Sequence, residues 1–298
     1  MGRGTIPTSS AFLTAVERDD VQCLKLLVNA SSQRLLETHR WNMLVSAGRM
    51  GRITAMEYLL QLPGIKVTQT DKHKRNLLHI VTMSGHVEAV DFILRNITTS
   101  VSAVDEEGKT ALHYAVMSGN LLVIRLLLPQ ASSDILKEDF KELSPLDYAI
   151  KRDSILVVHT LINSMLPDDP LRHQSAALRH AVSECHSMEG RQGRLGAPQL
   201  SQFHLPSIQI LQTLLKSEQF DLNAGDSSGR TALHIAVSQP YWLSEPVNSS
   251  CTVAKSRLNL LLTMAGINVD ASDGEGRTPI FCILDSEKDA VRSYDFDE

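Results

Sequence analysis

Cysteine is scarce in this chain: Cys23, Cys185, Cys251 and Cys282 are the four in 298 residues, far apart and without a C-x-x-C pair. That spacing excludes a disulfide framework and a zinc ribbon and leaves reduced, packed thiols. Positive charge is short as well. The 29 Lys and Arg face 34 Asp and Glu, for a net charge of -5 and a pI near 6.1. No concentrated basic face of the kind that phosphate contact requires stands out, so no nucleic-acid partner is expected. No apolar run reaches the length of a membrane span, and the opening MGRGTIPTSS has no apolar secretory core. The expectation is a soluble cytoplasmic protein, with the nucleus open to it and no membrane insertion. The N-x-S/T sequons at Asn29, Asn96 and Asn248 are then chance matches that carry no sugar.

What the chain does contain is one stretch used repeatedly. Asp105 to Leu128 reads DEEGKTALHYAVMSGNLLVIRLLL. Within it Thr110-Ala111-Leu112-His113-Tyr114-Ala115 opens a helix, Ser118-Gly119-Asn120 is a stop-and-turn signal, and Leu121, Ile124 and Leu128 recur at the spacing of a second helix with one buried face. Asn76-Leu77-Leu78-His79-Ile80-Val81 lies 34 positions upstream, and Asn42-Met43-Leu44-Val45-Ser46-Ala47 another 34, without the histidine. Ser144-Pro145-Leu146-Asp147-Tyr148-Ala149 lies 34 downstream with aspartate in the histidine position. Thr231-Ala232-Leu233-His234-Ile235-Ala236 restores the whole motif, and Thr278-Pro279-Ile280-Phe281 begins it again. Ala11 to Val28 and Ala176 to Cys185 are degenerate copies.

The T-x-L-H-x-A element at this period resembles the ankyrin repeat family, with Ala111 where the family pattern has proline. The resemblance covers nearly the whole chain. It implies an all-α ankyrin repeat solenoid of about eight helix-turn-helix repeats in a single array. Their approximate bounds are 9–37, 41–70, 75–104, 109–140, 143–172, 175–225, 230–272 and a partial last repeat at 277–298. Two spacings are too long. Ala181 to Ala236 is 55 and Thr231 to Thr278 is 47, against a family period of about 33. Insertions at 186–205 and 239–252 account for the surplus, both between the inner and outer helix of a repeat, and both should emerge on one side.

Several residues invite a chemical role. The resemblance implies that Thr110 and His113 hydrogen-bond each other and the neighbouring turns, which would make His79, His113 and His234 structural groups that satisfy buried polar atoms. Asp147 in the same position argues against a shared catalytic role. The glycines Gly108, Gly229 and Gly276 sit in D-x-x-G-[KR]-T turns that need a positive φ, and not in a phosphate loop, which has a different spacing. His180, Cys185, His186 and His204 match no metal-ligand spacing, so no metal site and no cofactor are expected. No catalytic residue remains.

The surface left to carry function is the concave face of such an array, since solenoids bind along extended concave surfaces. There the sequence offers Met83, Tyr114, Met117, Tyr148, Lys151 and Arg152, together with Arg49 and Met50. A basic tip at Lys72 to Arg75 stands beside an acidic one at Asp105 to Glu107, with Arg75 and Glu106 the charges most suited to orient a partner. In this reading Tyr114 and Glu106 face solvent. Tyr241 and Trp242 in the second insertion are candidate loop anchors. The stretch from Leu215 to Asn223 resembles the pattern read by an asparaginyl hydroxylase of ankyrin repeats, which marks Asn223 as a candidate hydroxylation site; the alternative is that Asn223 closes its turn. The expected function is a protein-protein interaction scaffold or adaptor that binds a partner protein or peptide segment and is not an enzyme. The alternative is the N-terminal regulatory ankyrin region of a larger enzyme, such as a kinase or ubiquitin ligase, or of a channel.

Overall fold

The computed structural model describes residues 9–31, 33–62, 68–97, 100–165, 177–183, 208–217, 220–238 and 257–283. Among these residues all regular structure is helical, and no helix is long and apolar enough to cross a membrane. The chain divides into two compact units, Met1–Pro145 and Leu146–Glu298.

The first unit is built from α1 (Ser9–Glu17), α2 (Val21–Ala30), α3 (Gln33–Arg49), α4 (Ile53–Gln61), α5 (Leu77–Ser84), α6 (Val87–Asn96), α7 (Ala111–Ser118) and α8 (Leu121–Ala131). Each odd helix packs on the even helix that follows it. The odd helices also pack on one another in sequence order, as do the even ones, giving an inner and an outer row. The apolar spacing dictates this. In α6, Ala89, Val90 and Ile93 form one buried stripe while Glu88 and Arg95 stay in the solvent. The inner helices are buried on more sides, as α5 is from Leu77 through Thr82. Fully buried side chains such as Leu44, Leu78, Ile93 and Leu112 each stabilise the unit by about 1.5–3 kcal/mol.

Between inner and outer helix the backbone turns through a left-handed residue. Gly85 (φ 75°) and Gly119 (φ 73°) cap α5 and α7, and Gly51 (φ 66°) and Asp19 (φ 54°) take the same conformation in the earlier turns. One detail differs from the sequence expectation. A repeat boundary was expected between 37 and 41, yet α3 runs unbroken from Gln33 to Arg49, because neither glycine nor proline occurs from Gln33 to Ala47. Gly48 lies inside α3. A Cβ there would be 2.4 Å from Val81 Cγ2, so glycine lets α3 and α5 approach closely.

The second unit carries α9 (Pro145–Lys151), α10 (Ile155–Asn163), α11 (Ala177–Ser183), α12 (Ile208–Lys216) and α13 (Ala232–Val237), with further helical turns at 257–262 and 279–283. Helix α11 packs on both α12 and α13, and α10 packs on α12. The proposed insertions, 186–205 and 239–252, lie outside the described residues. The described helices on either side of them are α11 and α12 for the first, and α13 and 257–262 for the second.

Candidate protein-interaction surface

The threonine-histidine pairs are clamps between repeats. Thr110 N–H donates to His113 Nδ1 at 3.0 Å, and Thr231 N–H donates to His234 Nδ1 at 3.2 Å; Asn76 does the same for His79 at 3.2 Å. A ring whose Nδ1 accepts must carry its proton on Nε2. That Nε2–H is aimed at the backbone of the following repeat: His113 donates to the Leu143 carbonyl at 3.2 Å and His234 to that of Arg277 at 3.0 Å. His79 reaches the Ala103 and Lys109 carbonyls, both at 3.1 Å. Lys109, Leu143 and Arg277 each immediately precede the next helix cap, so every clamp grips the same point. Burial pushes the His113 imidazole down to about 4 and lowers that of His79. All three histidines are consumed in this structural work.

Two of the repeats that lack the histidine solve the problem differently. Asp147 accepts from His180 Nδ1 at 2.9 Å, which gives His180 a partner other than a metal. Arg179 occupies the histidine position of α11 and donates to the Ala224 carbonyl at 3.1 Å. Cys185, His186 and His204 lie outside the described residues, among which no group of three or more His, Cys, Asp or Glu is placed to hold a metal ion.

The projecting fingers before the inner helices are organised by aspartates whose role the sequence leaves unassigned. Asp105 Oδ1 accepts from the N–H groups of Glu107 and Lys109 at 2.8 and 2.9 Å. Asp71, Asp139, Asp226 and Asp273 each accept from the residues two and four further on in the same way. The signal was present: each aspartate stands five positions before the cap residue of the next inner helix. Burial opposes ionisation of Asp105, but the Tyr114 hydroxyl and the two N–H donors outweigh it and hold the carboxyl below its usual range. Adjacent fingers are linked by backbone bonds in constant register. Glu106 N–H donates to His73 O at 3.0 Å, Phe140 N–H to Glu107 O at 2.9 Å and Gly274 N–H to Ser228 O at 2.7 Å.

The residues proposed to bind a partner are unevenly placed. Met83 is 43% exposed. Arg75 is half-buried, paired with Asp71 at 2.7 Å, and its guanidinium donates to Met83 Sδ at 3.4 Å. Glu106 is exposed and pairs with His73, so the basic and acidic tips do meet. Met117 is half-buried. Tyr114 does not stand free in solvent: it is half-buried, its hydroxyl donates to Asp105 Oδ2 at 2.5 Å, and its ring meets His79 edge-on at 5.9 Å. The sequence treated Tyr114 as a surface site because nothing in the T-x-L-H-x-A pattern shows that a tyrosine there reaches the finger aspartate. Tyr148 and Lys151 belong to α9 and Arg152 follows it directly, with Tyr148 half-buried and the two cations exposed. Tyr241 and Trp242 lie outside the described residues. Asn223 ties two loops together, with Oδ1 accepting from Asn268 N–H at 2.7 Å and Nδ2 donating to Gly266 O at 2.9 Å.

One concavity opens on this face, a cleft of about 330 Å³ between α3 and α5. Trp41, Val45, Ile80 and Met83 give it apolar walls, and Arg49, Asp71 and Arg75 line it with charge. Trp41 and Val45 had not been singled out as surface residues, because in the pattern of α3 they read as core.

Residues 64–139 match the family model for ankyrin repeats, in three copies. A search of curated proteins finds no match. Among solved structures, the ankyrin repeat domain of Bcl-3, a unique member of the IkappaB protein family, is 18% identical with a TM-score of 0.55, covering 93% of this chain and 97% of that one. The human ASB11 ankyrin repeat domain is also 18% identical, with a TM-score of 0.52, covering 82% and 95%. At this identity the likeness is one of fold, and the fold is typically non-catalytic and generally a protein-protein interaction module. Residues 64–139 are thus ankyrin repeats by the family model, and the clamps and aspartate-organised fingers continue the same fold beyond them.

Proposed function

We propose that this chain is a protein-interaction scaffold or adaptor, working without a cofactor, and that a partner protein docks on the face of the first unit formed by the inner helices and fingers. The observation that carries this reading is the open cleft between α3 and α5 with the exposed Met83 on its wall. Rigid walls support it. The clamps and finger bonds fix the backbone around the site before a partner arrives, so less ordering entropy is lost on docking. Methionine adapts to different apolar shapes, and charges at the rim orient an approaching partner. Affinity capture with the full chain, followed by mass spectrometry, identifies the partner. Its affinity is then measured for Met83→Asp beside a Tyr241→Ala, Trp242→Ala double variant. A loss of about tenfold or more in Met83→Asp is expected. Full binding by Met83→Asp with loss in the double variant would move the interface to the second insertion.

A further inference from the structure

We infer that the cleft between α3 and α5 receives an acidic linear segment of the partner, with one aliphatic or aromatic side chain seated on Trp41, Val45 and Ile80 and a neighbouring carboxylate paired with Arg49. This deepens the proposed function and rests on it. The apolar part follows from the walls. Trp41 and Ile80 form a floor only 9% and 7% exposed, while Met83 rises beside it, held by the Arg75 guanidinium through its sulfur. At about 330 Å³ the cleft is at the small end of binding pockets. It accommodates a side chain or two and not a folded domain, which is the scale of an anchor residue in a docked peptide.

The charge preference comes from asking which charges are already used. Asp71 gives one carboxylate oxygen to the N–H groups of His73 and Arg75 and the other to the Arg75 guanidinium, so neither partner of that pair is available. Glu106 on the next finger is taken by His73. Among the described residues, Arg49 is exposed at the cleft and pairs with no carboxylate, and the same holds for Lys72 and Lys74 on the adjoining finger. The local surface therefore has three cations that no carboxylate neutralises, against the single carboxylate of Glu106, whose partner His73 is charged only when protonated, in a chain whose net charge is -5. An anionic segment meets attraction here, and a basic one would lose solvation with nothing to pair against. A nucleic acid is a poor fit, because the only indole in the cleft lies in its floor and offers no stacking platform.

The test uses a 12-residue random peptide library displayed on phage and selected against the full chain, with anisotropy measurements on synthetic versions of the peptides recovered. Selected peptides should carry an Asp or Glu within a few residues of Leu, Ile, Phe or Trp. Their affinity should fall about tenfold in Arg49→Glu and weaken with added salt. Arg49 has no internal partner to lose, so this variant should keep the wild-type circular dichroism and unfolding midpoint. Reselection on Arg49→Glu should replace the acidic residues with Lys or Arg. Peptides without acidic bias, or unaffected by Arg49→Glu, overturn the inference. If no peptide is recovered while the captured partner still depends on Met83, the cleft assignment fails and the interaction surface stands. If the partner is indifferent to Met83 but acidic peptides need Arg49, the cleft stands and the proposed docking face for that partner does not.

Discussion

His234 Nε2 lies 3.0 Å from the carbonyl oxygen of Arg277, 43 residues along the chain, and His113 makes the same bond to Leu143 across 30. The extra length leaves the clamp unchanged, because both ends are fixed locally: the ring by its own helix cap, the carbonyl by the aspartate-organised finger that precedes the next cap. Length between repeats is thus free to vary while the contact between them is not. Loop closure penalises added residues only logarithmically, which makes such insertions thermodynamically mild.

The clamp makes stability depend on pH in a defined direction. His113 must stay neutral, since its Nδ1 accepts from Thr110 N–H, and burial lowers its pKa to about 4. Below its ordinary value of about 6.5 the unfolded chain takes up a proton that the folded chain refuses. Stability therefore falls as pH drops from about 6.5 to about 4, by about 3 kcal/mol for this residue. Urea unfolding at pH 7 and pH 4.5 should show this slope in the wild type and a shallower one in His113→Gln. Equal slopes would mean that the ring is not held neutral.

Fingers that use a non-glycine residue at the left-handed position should be improvable. Glu142 and Lys74 both sit at φ 58°, where Gly108, Gly229 and Gly276 stand in the other fingers. Left-handed backbone costs a residue with a Cβ about 1–2 kcal/mol, part of which glycine returns as lost unfolded-state entropy. Glu142→Gly is expected to raise stability by about 0.5–1 kcal/mol, read as a higher urea midpoint at unchanged m-value. A lower midpoint would show that Glu142 makes contacts worth more than its backbone strain.

Most of this architecture was legible in the sequence because it is periodic. The helix pairs and the left-handed glycines follow from a motif that recurs every 34 residues between Asn42 and Ser144, and the hydrogen-bonding role of His113 from the resemblance of that motif to ankyrin repeats. The finger aspartates recur as regularly, Asp105, Asp226 and Asp273 at the head of the D-x-x-G-[KR]-T turns, but only the glycine of those turns was given a role. What periodicity cannot convey is cross-finger contact. Tyr114 and Met83 both looked like exposed inner-helix positions, yet one reaches back nine residues to Asp105 and the other remains open beside Arg75. The cleft was equally hidden. It exists where Trp41 and Val45 meet Ile80 and Met83 across two helices, a coincidence of side-chain size at four positions.

Tyr114 accordingly carries stability that must be separated from any role in binding. Tyr114→Phe removes the donor to Asp105 Oδ2 but keeps the ring against His79, and should cost about 1 kcal/mol. Tyr114→Ala also removes the ring and should cost about 2–3 kcal/mol. Burial, followed by the bond to Asp105, raises the hydroxyl pKa above the ordinary tyrosine value. Absorbance titration should accordingly show Tyr114 ionising late, beside Tyr58, which burial also raises, and Asp105→Asn should bring Tyr114 part of the way back down. A tyrosine titration identical in the two proteins would rule out the contact.

The final prediction concerns Asn223, where a single amide bridges two loops of the second unit. Its oxygen accepts from Asn268 N–H at 2.7 Å and its nitrogen donates to Gly266 O at 2.9 Å, while its own N–H donates to Asp221 Oδ1 at 2.8 Å. Both ends of the side chain are therefore committed, the amide oxygen as acceptor and the amide nitrogen as donor. Asn223→Ala loses both bonds, but the site is half-exposed and water replaces part of each, so the cost should be about 1–2 kcal/mol. Asn223→Asp keeps the acceptor and sets a carboxylate oxygen against the Gly266 carbonyl, and should cost at least as much at neutral pH. Protonating that aspartate restores a donor, so the Asp variant should recover relative to the Ala variant as pH is lowered. Hydrogen exchange at the Asn268 amide gives an independent reading, because its protection depends on the Asn223 oxygen. It should exchange faster in Asn223→Ala and remain protected in Asn223→Asp, and fast exchange in both variants would show that the loop is held by something other than this amide.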